Sequence, residues 1–359
     1  MRETLHIVAP DASADALEQL RLLAPDAEAV SVGPAPTRGG GLACVRTSHV
    51  PLNWPRLWAA RAQKRPACRR GGLDTEANLL HAWSPRSFEA AWHLAQRTRQ
   101  PVLYSLQVPD GPDAYRTLWP RARRPFVHLS VPSEAAKQRL VRIGLDAARV
   151  HVLPPCTALA EPAAETRRQI RAYLGLAEAD LLIVSPAEMT RNAGHKYASW
   201  SHAIVRQLLE NLRLAFPGGG PAEPRVRYFA GTTGYDAEVF FTENRFKTSD
   251  LLAAGDIACF LPVRDSGLWP VAAAMAAGTP LIATRTPDIC CYARDGENAL
   301  LVTPADPRAI SAALLKLSED PELREKLARA GRAFAEAHFS PDVARGRLAE
   351  ITRAILRTP

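Results

Sequence analysis

Short apolar runs alternate with longer mixed stretches from one end of the chain to the other. In the first half the runs are LHIVAP (5–10), AEAVSV (27–32), NLLHAWS (78–84), PVLYSLQV (101–108), FVHLSV (126–131) and VHVLPP (150–155). In the second half they are LLIVSP (181–186), LRLAFP (212–217), EVFFTE (238–243), IACFLP (257–262), LIATRT (281–286) and ALLVT (299–303). Helical patterns lie between them, such as SEAAKQRLVRIGL (133–145) behind the N-cap Ser133, and a stretch from about His195 to Leu212. Strands alternating with helices predict an α/β protein with parallel sheets. The chain closes with helices predicted over about 307–319, 321–338 and 341–356. Asp306-Pro307, Asp320-Pro321-Glu322 and Ser340-Pro341-Asp342 start them, and a proline in the first helical position gives up no needed amide.

PPCTALAEPAAETRR (154–168) interrupts this alternation and reads as a linker running into a short helix. The expected organisation is a first domain over 1–157, a linker with a short helix over 158–178, a second domain over 179–339 and a last helix over 340–359. Two doubly wound domains in succession imply a cleft between the carboxyl ends of their strands, where ligands of such sheets bind.

At 359 residues the chain is long for one domain, and 47% hydrophobic with 23% charged residues describes a globular protein. The N-terminus has no basic region followed by an apolar one, and no run approaches the roughly 20 apolar residues of a membrane span, so a cytoplasmic protein is expected. Six cysteines without a C-x-x-C pair suit reduced core residues better than a disulfide framework or a zinc site. The net charge of +8 fits an anionic partner. The basic residues are scattered outside any nucleic-acid module, so no nucleic acid is expected. LNWPRLWAARAQKR (52–65) has two readings. One is an interfacial helix on anionic lipid, giving peripheral contact with the inner membrane face. The other, the more ordinary, packs the tryptophans into their own domain and leaves the cations wet.

From Leu181 onward the sequence resembles the GT-B glycosyltransferases of the nucleotide-sugar-dependent family 4 type. The resemblance rests on FPGGGP (216–221), DLLAAGDIACFLP (250–262), AAAMAAGTPLIAT (272–284), ARDGENALLVTPADP (293–307) and EDPELREKLARAGRAFAEAHFS (319–340), in order and at natural spacing. In the first half it is weaker, carried by NLLHAWSPRS (78–87) and SVPSEAAKQRLVRIGLDAARVHVLPP (130–155). It implies two Rossmann-like domains facing a cleft, and a last helix crossing back to the first. It also implies sugar transfer from a nucleotide sugar, with retention and without a metal or other cofactor, to a glycan, lipid-linked or small-molecule acceptor.

The resemblance also shows which chemical positions have changed. Of the family's paired glutamates, the first falls on Asp265 and the second on Ala273. The helix Val271–Ala277 and its glycine stop Gly278 keep the expected shape, and Ser266, Gly267 and Leu268 would turn amides toward a phosphate or sugar. The arginine and lysine that hold the diphosphate fall on Glu188 and Ala193. An acid in place of a cation loses attraction and adds repulsion. Thr190, Arg191, His195 and Lys196 lie on the same loop and helix start, where replacement charge would come from. Gly219, in the PGGGP turn, allows close backbone approach to a ligand. Arg245 and Phe246 stand where the nucleotide base is received. A further glutamate position reads Cys291, preceded by Pro287-Asp288. In the first domain the family's paired histidines read His81-Ala-Trp83, and a third histidine reads Gln107. His81 and Asp265 are the candidate catalytic residues. An intact scaffold with exchanged chemical positions leaves two functions open: a transferase with a rearranged phosphate site, or a lapsed enzyme that binds or scaffolds.

Overall fold

A computed structural model describes residues 4–8, 14–24, 29–31, 77–106, 120–159, 164–264 and 266–357. Asp265, Gln107 and the 52–65 segment lie outside the described residues. Two compact units divide the chain, one made of residues up to Pro154 with those from Ala344 onward, the other of Pro155–Val343.

The sheet of the first unit holds β1 (Thr4–Val8), β2 (Ala29–Ser31), β3 (Leu79–Ala82), β4 (Val102–Ser105), β5 (Val127–Val131) and β6 (Val150–Val152). They run in the order β2-β1-β3-β4-β5-β6, all pairs parallel. Helices α1 (Ala14–Leu23), α2 (Pro85–Thr98) and α3 (Glu134–Arg142) link them. Ser84 and Ser87 cap α2 reciprocally, and Ser133 caps α3 through the amide of Ala136, as its sequence predicts. Leu80, Ala82, Val102, Tyr104, Val127 and Leu129 fill the core on one face of the sheet. The other face is also buried, but mixes Leu79 and Leu103 with polar residues. Register sets His6 beside His81 and Ser105 beside Ser130.

The second unit begins with α4 (Ala164–Tyr173) and carries β7 (Leu181–Val184), β8 (Leu212–Phe216), β9 (Val239–Phe241), β10 (Ile257–Phe260), β11 (Leu281–Thr284) and β12 (Leu300–Val302). Its order is β12-β11-β10-β7-β8-β9, again all parallel. Leu182, Val184, Ala258 and Phe260 point into one core, and Ile183, Ile257, Cys259 and Ile282 into a second. That period of two, apolar on both sides, is the pattern of a sheet covered twice. The helices are α5 (His195–Arg206), α6 (Glu223–Thr232), α7 (Thr248–Ala254), α8 (Trp269–Ala276), α9 (Pro307–Glu319), α10 (Pro321–His338) and α11 (Pro341–Arg357). All eight residues of α8 are buried, so it passes through the core as an apolar rod.

One boundary differs from expectation. The helix from His195 stops at Arg206, short of Leu212, because the turn at Glu210–Asn211 already feeds β8. The stretch 158–178, expected to hold a linker with a short helix, carries α4. The last helix runs to Arg357, and its residues from Ala344 cluster with the first unit, where the Arg347 guanidinium donates to the Val152 carbonyl at 3.1 Å.

Candidate functional site

Three turns at the carboxyl ends of β7, β8 and β10 lock together through their backbones. Met189 N–H donates to Gly219 O at 2.9 Å, and Ala222 N–H returns a bond to Met189 O at 2.7 Å. Val263 N–H donates to Asn192 O at 2.9 Å. Two glycines make this closeness possible. A Cβ on Gly194, whose φ is +82°, would lie 1.8 Å from Leu261 O, and one on Gly220 2.6 Å from Met189 O.

His195, the first residue of α5, staples the same assembly from inside. It is 2% exposed, with Nε2 at 3.2 Å from Glu188 O and Nδ1 at 2.9 Å from Ser185 Oγ. A carbonyl only accepts, so Nε2 carries the proton and Nδ1 takes the serine hydroxyl hydrogen. Burial pushes the imidazole down to about 4. The positive charge expected of His195 is therefore corrected: the ring is neutral near pH 7 and holds the turn in shape.

Outside these turns, between the starts of α5 and α6, opens a cavity of about 950 Å³. Thr190, Arg191 and Lys196 line it from the β7–α5 turn, Arg225 from α6 and Arg264 from the β10–α8 loop. Tyr197, Tyr228 and Phe229 supply aromatic walls. Among the described residues none of the four cations has an acidic partner. The contrast with other arginines of the unit is sharp. Arg167 and Arg171 hold Asp256, Arg206 holds Glu238, Arg213 holds Asp180, and Arg227 holds Glu223 and Glu243. Helices α5, α6 and α8 also start without a capping side chain, whereas Asp306 and Asp320 cap α9 and α10. Four unneutralised cations beside uncapped helix starts make a place of positive potential suited to an anion with several charges.

Residues 166–334, inside this unit, match the family described as glycosyl transferases group 1. Among solved structures, Anabaena HepE in complex with UDP-glucose superposes with a TM-score of 0.80 over 98% of this chain and 99% of that one, at 16% identity. The protein has the GT-B glycosyltransferase fold. The chain is 30% identical over 182 residues to the putative glycosyltransferase EpsD of Bacillus subtilis, covering 50% of this chain and 48% of that one. The MMP alpha-(1->4)-mannosyltransferase of Mycolicibacterium hassiacum is 28% identical over 243 residues, 64% of this chain and 54% of that one. The chain thus spans about half the length of the curated relatives it matches.

The GT-B chain gathers only some of the residues singled out from its sequence. Thr190, Arg191, His195 and Lys196 lie on one wall of the cavity. Glu188 is exposed and outside the lining, and Ala193 is buried at 5%. Gly219 lies outside the cavity lining, and its N–H donates to Glu223 Oε2 at 2.8 Å. That bond and Arg227 hold the Glu223 carboxyl below its ordinary range. Arg245 and Phe246 sit apart from the lining, around Tyr173. The guanidinium lies 4.5 Å over that ring and Phe246 meets its edge with 5.2 Å between centroids. The Leu268 side chain is buried and packs in the core. Gly267 is half-buried, and Ser266 Oγ is buried without a protein partner, as are Trp269 Nε1 and Thr286 Oγ1 nearby in the chain.

His81, expected as a catalytic group, is fully buried, with Nε2 2.7 Å from Ser105 Oγ, which in turn lies 2.7 Å from Ser130 Oγ. His6 and Trp83 flank it at ring distances of 5.0 and 4.4 Å. Burial, with His6 adding to it, holds its pKa well below the ordinary value. In this arrangement His81 is a buried, neutral residue that touches no solvent, and its Nδ1 has no hydrogen-bond partner. Sequence reading missed Arg225 and Arg264. Their signal is position: each follows closely on the carboxyl end of a strand, Arg225 after the glycine turn of β8 and Arg264 after β10.

Proposed function

We propose that the protein transfers a sugar from a nucleotide sugar to a glycan or lipid-linked acceptor, with retention and without a metal. The unpaired cluster of Arg191, Lys196, Arg225 and Arg264 carries this reading. Sugar transfer leaves a nucleoside diphosphate, and fixed cations stabilise the charge that builds on it as the sugar bond breaks. The family's arginine and lysine are replaced in sequence, and these four offer charge from three turns instead. The group 1 match and the HepE complex with UDP-glucose support a nucleotide-sugar donor; Asp265 is the remaining catalytic candidate of this reading.

Thermal melting with uridine, guanosine and adenosine diphosphates tests the donor. One of them is expected to raise Tm, since a ligand that binds only the folded state stabilises it. No shift with any at millimolar concentration would remove the reading. A second function, binding without turnover, is favoured by the closed His81 and the buried Ala193. Release of nucleoside diphosphate from a bound donor separates the two: sustained release fits the transferase, and binding with no release fits the lapsed enzyme.

A further inference from the structure

Helices α5 and α6 carry a line of exposed apolar side chains that runs away from the rim of the cavity. Lys196, Trp200, Ile204 and Leu208 follow at four-residue steps, the spacing that lines side chains along one side of a helix. Trp200 is 46% exposed, Ile204 37% and Leu208, just past the helix end, 67%. On α6, Tyr228 is 77% exposed, and the adjacent Phe229 ring lies 6.3 Å from that of Trp200. The two helices so join their apolar groups into one patch. Of the seven large exposed hydrophobic side chains among the described residues, these are four. The opposite side of α5, with Ala198, Ser201, His202 and Val205, is buried, so the outer line is not needed for the fold. At one end the patch meets the unpaired cations of the cavity through Lys196 and Tyr228.

Exposed aromatic and aliphatic groups bordered by unneutralised lysine and arginine match the headgroup layer of an anionic bilayer. Tryptophan and tyrosine rest at that depth with their polar edges wet, and the cations meet the lipid phosphates. A second copy of the chain would bring a cluster of the same sign against this edge, which disfavours self-association there. We propose that the outer face of α5 and α6 docks on an anionic membrane surface, with Trp200, Ile204 and Leu208 entering the headgroup layer. These three are outside the cavity lining, whereas Lys196 and Tyr228 at the patch edge belong to it, so the test varies only the three.

Co-sedimentation of the full chain with vesicles tests it, comparing phosphatidylglycerol–phosphatidylcholine mixtures with phosphatidylcholine alone. Binding to the anionic vesicles is expected, weakening as salt rises. The triple variant Trp200→Ser, Ile204→Ser, Leu208→Ser should lose about tenfold or more of that partition. Its Tm should fall only by the partial burial those side chains lose, with a single cooperative transition kept, and any nucleoside diphosphate shift should match that of the unaltered chain. Absence of binding by the unaltered chain at low salt overturns the proposal, and so does equal binding by the triple variant. A concentration-dependent dimer that the triple variant abolishes also overturns it, making the patch a self-interface. A missing nucleotide shift with intact vesicle binding would count against the donor reading alone.

Discussion

On the first unit's sheet, His6, His81, Ser105, His128 and Ser130 sit buried on one face, bonded to each other or to neighbours such as Trp83 and His151. On the second unit's sheet both faces are apolar, and the polar groups of interest lie in the turns past the strand ends. Polar groups inside a sheet are driven to satisfy one another, because burial without a partner costs free energy, and here all but His81 Nδ1 in this chain of contacts are paired. Those that are paired are spent on structure. Cations in turns keep water as their alternative partner, so they stay open to a ligand. The difference separates chemistry-bearing residue types that hold the fold from those that can act on something else.

The largest test of this contrast is Gly194→Ala. The added carbon would collide with Leu261 O at a φ unsuited to alanine, and a loss of about 3 kcal/mol is expected. Chemical denaturation should show that loss in the second unit; a stability within 0.5 kcal/mol of the unaltered chain, as an order-of-magnitude bound for harmless sites, would break the account of the locked turns.

Acid should act more strongly on the first unit. Burial pushes His6, His128 and His151 down to about 4 there, and holds His81 well below its ordinary value. In the second unit His195 and His202 are pushed to about 4. An unfolded histidine takes up a proton near pH 6.5, while these folded ones stay neutral to about 4. The unfolded state thus binds more protons in that window. The stability is present above about pH 6.5 and lost as pH falls toward 4, with roughly 2 kcal/mol gone for His6 at pH 5. Melting followed from pH 7 to 5 should show the first unit giving way first; parallel loss in both would remove the asymmetry.

Lys196→Ala with Arg225→Ala carries the next effect. Nucleoside diphosphate affinity is expected to fall by about tenfold or more, with Tm little changed without ligand, because neither cation has an acidic partner among the described residues and Lys196 only rests over the Tyr197 ring at 4.7 Å. Titration calorimetry reads the affinity, and an undiminished value would take the cavity out of donor binding. The smallest effect belongs to Ser185→Ala. It removes the hydroxyl from His195 Nδ1 and should cost about 1 kcal/mol, read by the same denaturation.

The strands and the closing helices were legible because apolar period and caps are local. The runs at 181–186, 257–262 and 281–286 contain β7, β10 and β11, and Asp306 and Asp320 cap α9 and α10 where the sequence places them. The similarity of residues 166–334 to glycosyl transferases group 1 was legible through ordered motifs. The site was legible only in part. Arg191 and Lys196 stood out because they share a turn with the replaced family positions. Arg225 and Arg264 did not, since only the backbone bonds among three separate turns bring them to one cavity. His195 looked like a cation in sequence, and only its two hydrogen bonds and its burial show a neutral staple.

The residues from Ala344 onward group with a unit whose other members come more than 180 positions earlier. Ala344, Ile351 and Ile355 are buried, and Arg347 reaches the end of β6. A stop codon introduced after Val343 would spare the domain it directly follows and injure the distant one. Pro155–Val343 is one unbroken stretch of chain, so it can be cut out and expressed as a single fragment. Its companion needs a splice.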